Sequence, residues 1–95
     1  MYGTLATVSI DPAKIDDLKA LMDEWNETQG SSGIGYVGGY MLQPDSDAST
    51  LKMIAVFENE QVYRANAESP AQNDWYEKFR ALLNADPIWE DGQVS

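Results

Sequence analysis

The chain is 95 residues long, 43% hydrophobic, without cysteine or histidine, and carries a formal net charge of -10. The length predicts one domain over residues 1–95, and the apolar content is too high for a disordered chain. Without Cys or His there are no disulfides, no thiolate metal sites, no Ser-His or Cys-His nucleophile, and no imidazole to serve as general base or haem ligand.

The charge argues against nucleic acid, whose phosphates call for clustered Lys and Arg, and against anionic membrane surfaces. The acidity reads as a solubility device. No apolar run approaches the roughly 18 residues of a membrane span. The N-terminus has no basic stretch followed by a signal-type apolar block, so a cytoplasmic location is expected. A domain of this size buries only about two thirds of its unfolded surface. Association with a second copy is the remaining source of burial.

Tyr2 to Ile10 reads as a strand, rich in the β-branched Thr4, Thr7, Val8 and Ile10. Asp11-Pro12 starts a helix, with Asp as cap and Pro at the first position. That helix is expected over Pro12 to Thr28, where Ile15, Leu18, Met22 and Trp25, with Leu21 alongside, form one apolar stripe. Gly30-Ser31-Ser32-Gly33 ends it. Ile34 to Gln43 is a second strand, and its Gly35, Gly38 and Gly39 signal a bulge or a close approach of another backbone or a ligand.

Pro44 to Ser49 is a polar turn rather than a calcium loop, because Thr50 stands where such a loop needs Gly. Thr50 to Glu58 returns as a third strand, with Leu51, Met53, Ala55 and Phe57 on one face and Ile54 and Val56 on the other. Both faces of strands two and three are therefore apolar, and the sheet must be covered twice. Helices can cover one face; a second subunit's sheet is the simplest cover for the other. Glu60 to about Glu68 is a short helix. Ser69-Pro70 starts another, expected to run to about Ala85 on Trp75, Phe79, Leu82 and Leu83. Ile88 to Val94 is a last short strand. The order β-α-β-β-α-β predicts an α+β, ferredoxin-like fold: a four-stranded antiparallel sheet with helices on one face.

The stretch from Phe57 through Tyr63-Arg64-Ala65, Ala67 and Ser69-Pro70, then Trp75, then Pro87, Trp89, Gly92 and Val94, resembles the antibiotic biosynthesis monooxygenase type of dimeric α/β barrel. The resemblance covers essentially the whole chain. It implies a homodimer whose sheets pack face to face, with a pocket in each subunit between sheet and helices. It also implies cofactor-independent oxidation of a phenolic or quinol-type molecule, in which the deprotonated substrate reduces oxygen itself. No cofactor, metal or haem is then expected. Haem-degrading relatives use an Asn on the first strand plus a Trp and a His on and after the short helix that here spans Glu60 to about Glu68. Here Tyr2 to Ile10 holds no Asn, and Asn66 and Tyr76 stand at the other two places.

Each candidate has a plain alternative. Tyr36, Phe57, Trp75, Tyr76 and Phe79, with Tyr40, either line a pocket for a flat aromatic ligand or fill an ordinary core. Asn66 either orients a substrate oxygen or ends a helix. Tyr63 either exchanges a proton with a phenol or is a half-buried interface tyrosine. Asn66 and Tyr63 are the candidate catalytic pair. Arg64 pairs with Glu60 or Glu68 rather than with substrate. A non-catalytic ligand-binding or stress-response dimer, or a subunit of a larger complex, is the competing reading of the whole chain.

Overall fold

The computed structural model describes residues 1–95. Strand β1 (Tyr2–Ser9) leads into a 3-10 turn, Pro12–Lys14, and helix α1 (Ile15–Trp25), which runs on as a π turn over Asn26–Gly30. Strands β2 (Tyr36–Leu42) and β3 (Thr50–Phe57) follow, then helices α2 (Glu60–Ala67) and α3 (Pro70–Ala81), and strand β4 (Ile88–Gln93). The sheet has four antiparallel strands in the order β2-β3-β1-β4. This is the expected ferredoxin-like α+β arrangement.

The helix starts are set by short polar side chains. The Asp11 carboxylate accepts from the Ala13 N–H at 2.9 Å, and the Ser69 hydroxyl accepts from the Gln72 N–H at 3.1 Å, each just before a proline. Asn59 does the same for α2, accepting from the Val62 N–H at 3.0 Å. The π turn is accompanied by two hydroxyls that bond back to carbonyls four residues earlier, Thr28 to Glu24 and Ser31 to Glu27. Helix α3 stops at Ala81, not near Ala85. Ile10 bridges to Leu83, and the Asn84 N–H donates to the Ser9 carbonyl at 2.9 Å. Backbone pairing with the end of β1 thus takes these residues out of the helix, while Leu83 still reaches the core.

Even-numbered residues of β1 and odd-numbered residues of β3 face the helices. There Ala6, Val8, Leu51, Met53 and Phe57 pack against Leu18, Leu21 and Trp25 of α1 and Trp75 and Phe79 of α3. Helix α2 contributes no fully buried residue and sits at the rim. Strand β2 contains the irregularity that its glycines forecast. Tyr36 pairs with Phe57 and Gly38 with Val56, leaving Val37 as an extra residue. The bulge resets the alternation: Tyr36, Gly39 and Met41 face the helices, and Tyr40 and Leu42 face away. Gly35, just before it, has φ of +82°, and a Cβ there would lie 2.9 Å from Val62 Cγ2 of α2.

The other face of the sheet is uncovered by this chain. Tyr40 is 80% exposed, Leu42 62% and Ile88 66%, and Ile54 pairs with Tyr40 on the same face. No helix is long and apolar enough to cross a membrane.

Candidate functional site

Between the helix-facing side of the sheet and the helices lies a cavity of about 770 Å3. Tyr36, Phe57, Tyr63, Asn66, Trp75, Tyr76 and Phe79 all line it. They come from two strands and two helices, so the fold rather than local sequence gathers them. Phe57 and Phe79 are buried to 2% and 0% exposure and serve as backing walls. Tyr36, Tyr63, Asn66 and Tyr76 are half-buried, so more of their surface is open to an occupant. Tyr40 touches the rim, but its ring lies on the opposite face of the sheet and is solvent-exposed.

Aromatic packing fixes the walls. The Tyr36 ring meets Trp25 edge-on at 4.7 Å and Phe57 at 5.5 Å, and Trp75 stacks on Phe79 at 5.0 Å with planes 13° apart. Trp25 Nε1 donates to Gln72 Oε1 at 2.8 Å, and Trp75 Nε1 donates to the Leu21 carbonyl at 3.4 Å. These bonds tie α1 to α3 over the cavity and hold both indoles. The place of Tyr36 depends on Gly39, because a Cβ at Gly39 would stand 2.8 Å from the Tyr36 hydroxyl and 2.6 Å from the Ile54 carbonyl oxygen. Trp89, 46% exposed on β4, lies beside Tyr76 and Phe79 at ring distances of 6.4 and 6.5 Å.

Asp91 of β4 and Tyr63 of α2 bring a polar cluster to one part of the cavity wall. The Tyr63 hydroxyl donates to Asp91 Oδ1 at 3.0 Å, and Arg64 Nη1 donates to Asp91 Oδ2 at 3.4 Å. Arg64 also donates to the Tyr2 hydroxyl at 3.0 Å, pairs with Glu60 at 3.5 Å, and lies over the rings of Tyr2 and Tyr63. The expected ion pair with Glu60 is present, and the half-exposed guanidinium is shared among Glu60, Asp91 and Tyr2. Burial pushes the Tyr63 hydroxyl above the usual phenol range. The nearby Thr4 hydroxyl opposes that, the Asp91 carboxylate adds to it, and the Arg64 charge works against it. Burial alone raises Tyr36. Both are therefore neutral phenols near pH 7, able to donate a hydrogen bond but not to take a proton.

Asp91 escaped the sequence reading, as did Thr4. The segment Ile-Trp-Glu-Asp-Gly-Gln has no clear apolar alternation, and only its pairing with β1 determines which residues face the helices. No group of three or more carboxylates is arranged to hold a metal ion.

No family model matches the sequence, and no curated protein is significantly similar to it. Solved structures do match in three dimensions. A Caulobacter crescentus protein provisionally named an antibiotic biosynthesis monooxygenase superposes with a TM-score of 0.83 at 11% identity, over 99% of this chain and 89% of its own. A conserved protein of Methanosarcina mazei superposes with a TM-score of 0.82 at 13% identity, over 99% and 92%. An antibiotic biosynthesis monooxygenase superposes with a TM-score of 0.77 at 14% identity, over 100% and 99%. At these identities the likeness is one of fold: the chain has the antibiotic biosynthesis monooxygenase type of α+β fold along its whole length.

Proposed function

From the fold shared with antibiotic biosynthesis monooxygenases, we propose that residues 1–95 act as one domain within a homodimer. Each subunit holds a small flat aromatic or quinone-type molecule between sheet and helices. The observation that carries this reading is the cavity: its volume falls in the range of small-molecule sites, and its walls are mostly apolar and rich in aromatic rings, with a few polar groups among them. The dimer forms through the outer sheet face, where Tyr40, Leu42 and Ile88 stand in solvent. Exposed apolar surface of this kind marks an interface.

The reaction that goes with the fold is oxidation without a cofactor, in which a deprotonated phenol or quinol passes its electrons to oxygen. Asn66 then orients the ligand oxygen through its amide, and Tyr63 donates a hydrogen bond to it by turning its hydroxyl away from Asp91. Tyr36, Phe57, Trp75, Tyr76 and Phe79 bind the ring. A second reading, non-catalytic binding or a stress-response role, is favoured by the burial of Tyr36 and Tyr63, which pushes both hydroxyls above the usual phenol range and away from service as a base. Oxygen uptake over a panel of quinols and phenols separates the two. Turnover above the uncatalysed rate that falls in Asn66→Ala and Tyr63→Phe supports the enzyme. A rate equal to the uncatalysed one across the panel leaves the binding protein.

A further inference from the structure

Two neighbouring stripes of α2 border two different hollows. Tyr63, Asn66 and Ala67 line the aromatic cavity. Val62, Ala65 and Asn66, with Ser69 just beyond the helix, line a second cleft of about 510 Å3. Each set follows the spacing of one helix face, and Asn66 belongs to both. The rest of the boundary is equally thin. Gln72 lines the cavity and Ala71 the cleft; across from them Trp25 lines the cavity and Gln29 the cleft. Trp25 Nε1 donates to Gln72 Oε1 at 2.8 Å, and Gln29 Nε2 donates to the Ala71 carbonyl at 3.4 Å. The hollows therefore meet along one seam, closed by the Asn66 side chain and two side-chain hydrogen bonds. The outer bond is long and exposed, so parting it costs little.

The two hollows differ in chemistry. No aromatic ring, Lys or Arg lines the cleft. One wall is nearly bare backbone, where Gly33 and Gly35 both have φ of +82°. The Glu58 backbone N–H donates to the Gly35 carbonyl at 2.8 Å, which fixes Glu58 on that wall. Its carboxylate takes no part in the ion pairs of the protein. The Asn66 backbone carbonyl accepts from the Ser69 N–H, and its side-chain amide stays free to bond an occupant. The Ser69 hydroxyl accepts from the Gln72 N–H and keeps its own proton to give. Free acceptors and donors thus stand side by side, with acceptors in excess. Hydroxyl groups suit such a wall because each both donates and accepts. A phosphate or carboxylate would meet Glu58 with no cation to answer it.

We propose that the cavity and the cleft are two compartments of one binding site. The aromatic ring occupies the cavity, and a hydroxyl-rich substituent on it, such as a glycosyl group, occupies the cleft, with the linking atom passing Asn66. This inference rests on the cavity reading above and adds a second compartment and the chemistry of its occupant.

The test compares 2-methoxynaphthalene with 2-naphthyl glucoside by equilibrium dialysis against the whole chain. The probes share a ring and an ether oxygen, and the second adds a sugar. Wild type binds the glucoside at least as tightly as the methyl ether, despite its greater bulk. Ala65 and Ala71 are exposed and line the cleft without lining the cavity. Ala65→Phe and, separately, Ala71→Phe fill the cleft and weaken glucoside binding about tenfold or more, while the methyl ether binds as before. Glu58→Ala weakens the glucoside several-fold and leaves the ether unchanged. Circular-dichroism melts check each fold, and one folded variant with a filled cleft suffices for the test. A wild-type protein that binds the ether but excludes the glucoside, or a glucoside affinity that survives in the folded variants, overturns the second compartment and leaves the cavity reading standing. Failure of both probes to bind wild type overturns the two together.

Discussion

Tyr63 and Thr4 make opposite demands on the same corner of the cavity. Tyr63 has a hydroxyl whose pKa is raised, first by burial. The folded state then holds that proton more tightly than the unfolded state. The resulting stability is complete below the ordinary phenol value near 10 and is lost as pH rises through the higher folded value. Thermal melts from pH 9 upward are therefore expected to show a steeper loss of Tm in wild type than in Tyr63→Phe. Thr4 is the reverse case, a buried hydroxyl near Tyr63 that lacks a well-formed hydrogen bond. Thr4→Val keeps the β-branch and is expected to raise stability by about 1 kcal/mol in urea unfolding, because an unsatisfied buried group is removed. Residue type alone could single out the aromatics, since a chain with so many of them must bury most. It could not single out Asp91, which the pairing of β4 with β1 brings beside Tyr63 and Arg64.

Among the elements, those with a local cause were the legible ones. Ser69-Pro70 and Asp11-Pro12 start helices through one hydroxyl or carboxylate and one fixed φ, and both devices are present as expected. Ser69→Ala is expected to cost about 1 kcal/mol, lowering Tm by about 4–8 °C, measured by circular dichroism. The end of α3 was misjudged because its apolar spacing continues through Leu82 and Leu83. What stops the helix is a partner distant in sequence, the Ser9–Ile10 end of β1. The glycines of β2 forecast a bulge, but its position at Val37 comes from register with β3. Gly39 is where element and site meet. Gly39→Ala is expected to destabilise the fold by more than 1 kcal/mol in urea unfolding, because its Cβ would press on the backbone carbonyl of Ile54. It is also expected to displace Tyr36, read as a changed Tyr36 ring environment by NMR.

For the whole molecule, the apolar surface divides into a buried share and an unspent one. The helices cover the Leu51, Met53 and Phe57 side of the sheet and leave the Tyr40, Leu42, Ile54 and Ile88 side bare. Two-sided apolarity was readable in β3 from the unbroken apolar run Met53 to Phe57, and it motivates the dimer. Light scattering at micromolar concentration is expected to give twice the 10.6 kDa chain mass for wild type and the single mass for Tyr40→Glu with Ile54→Glu. The central claim is that the cavity receives a flat aromatic molecule, and the protein carries its own reporter. All three tryptophans, Trp25, Trp75 and Trp89, line that cavity. Titration with 1,4-naphthoquinone is predicted to quench their fluorescence along a saturating curve that ends at about one molecule per chain. Quenching that stays linear and no stronger than that of free tryptophan would contradict the account.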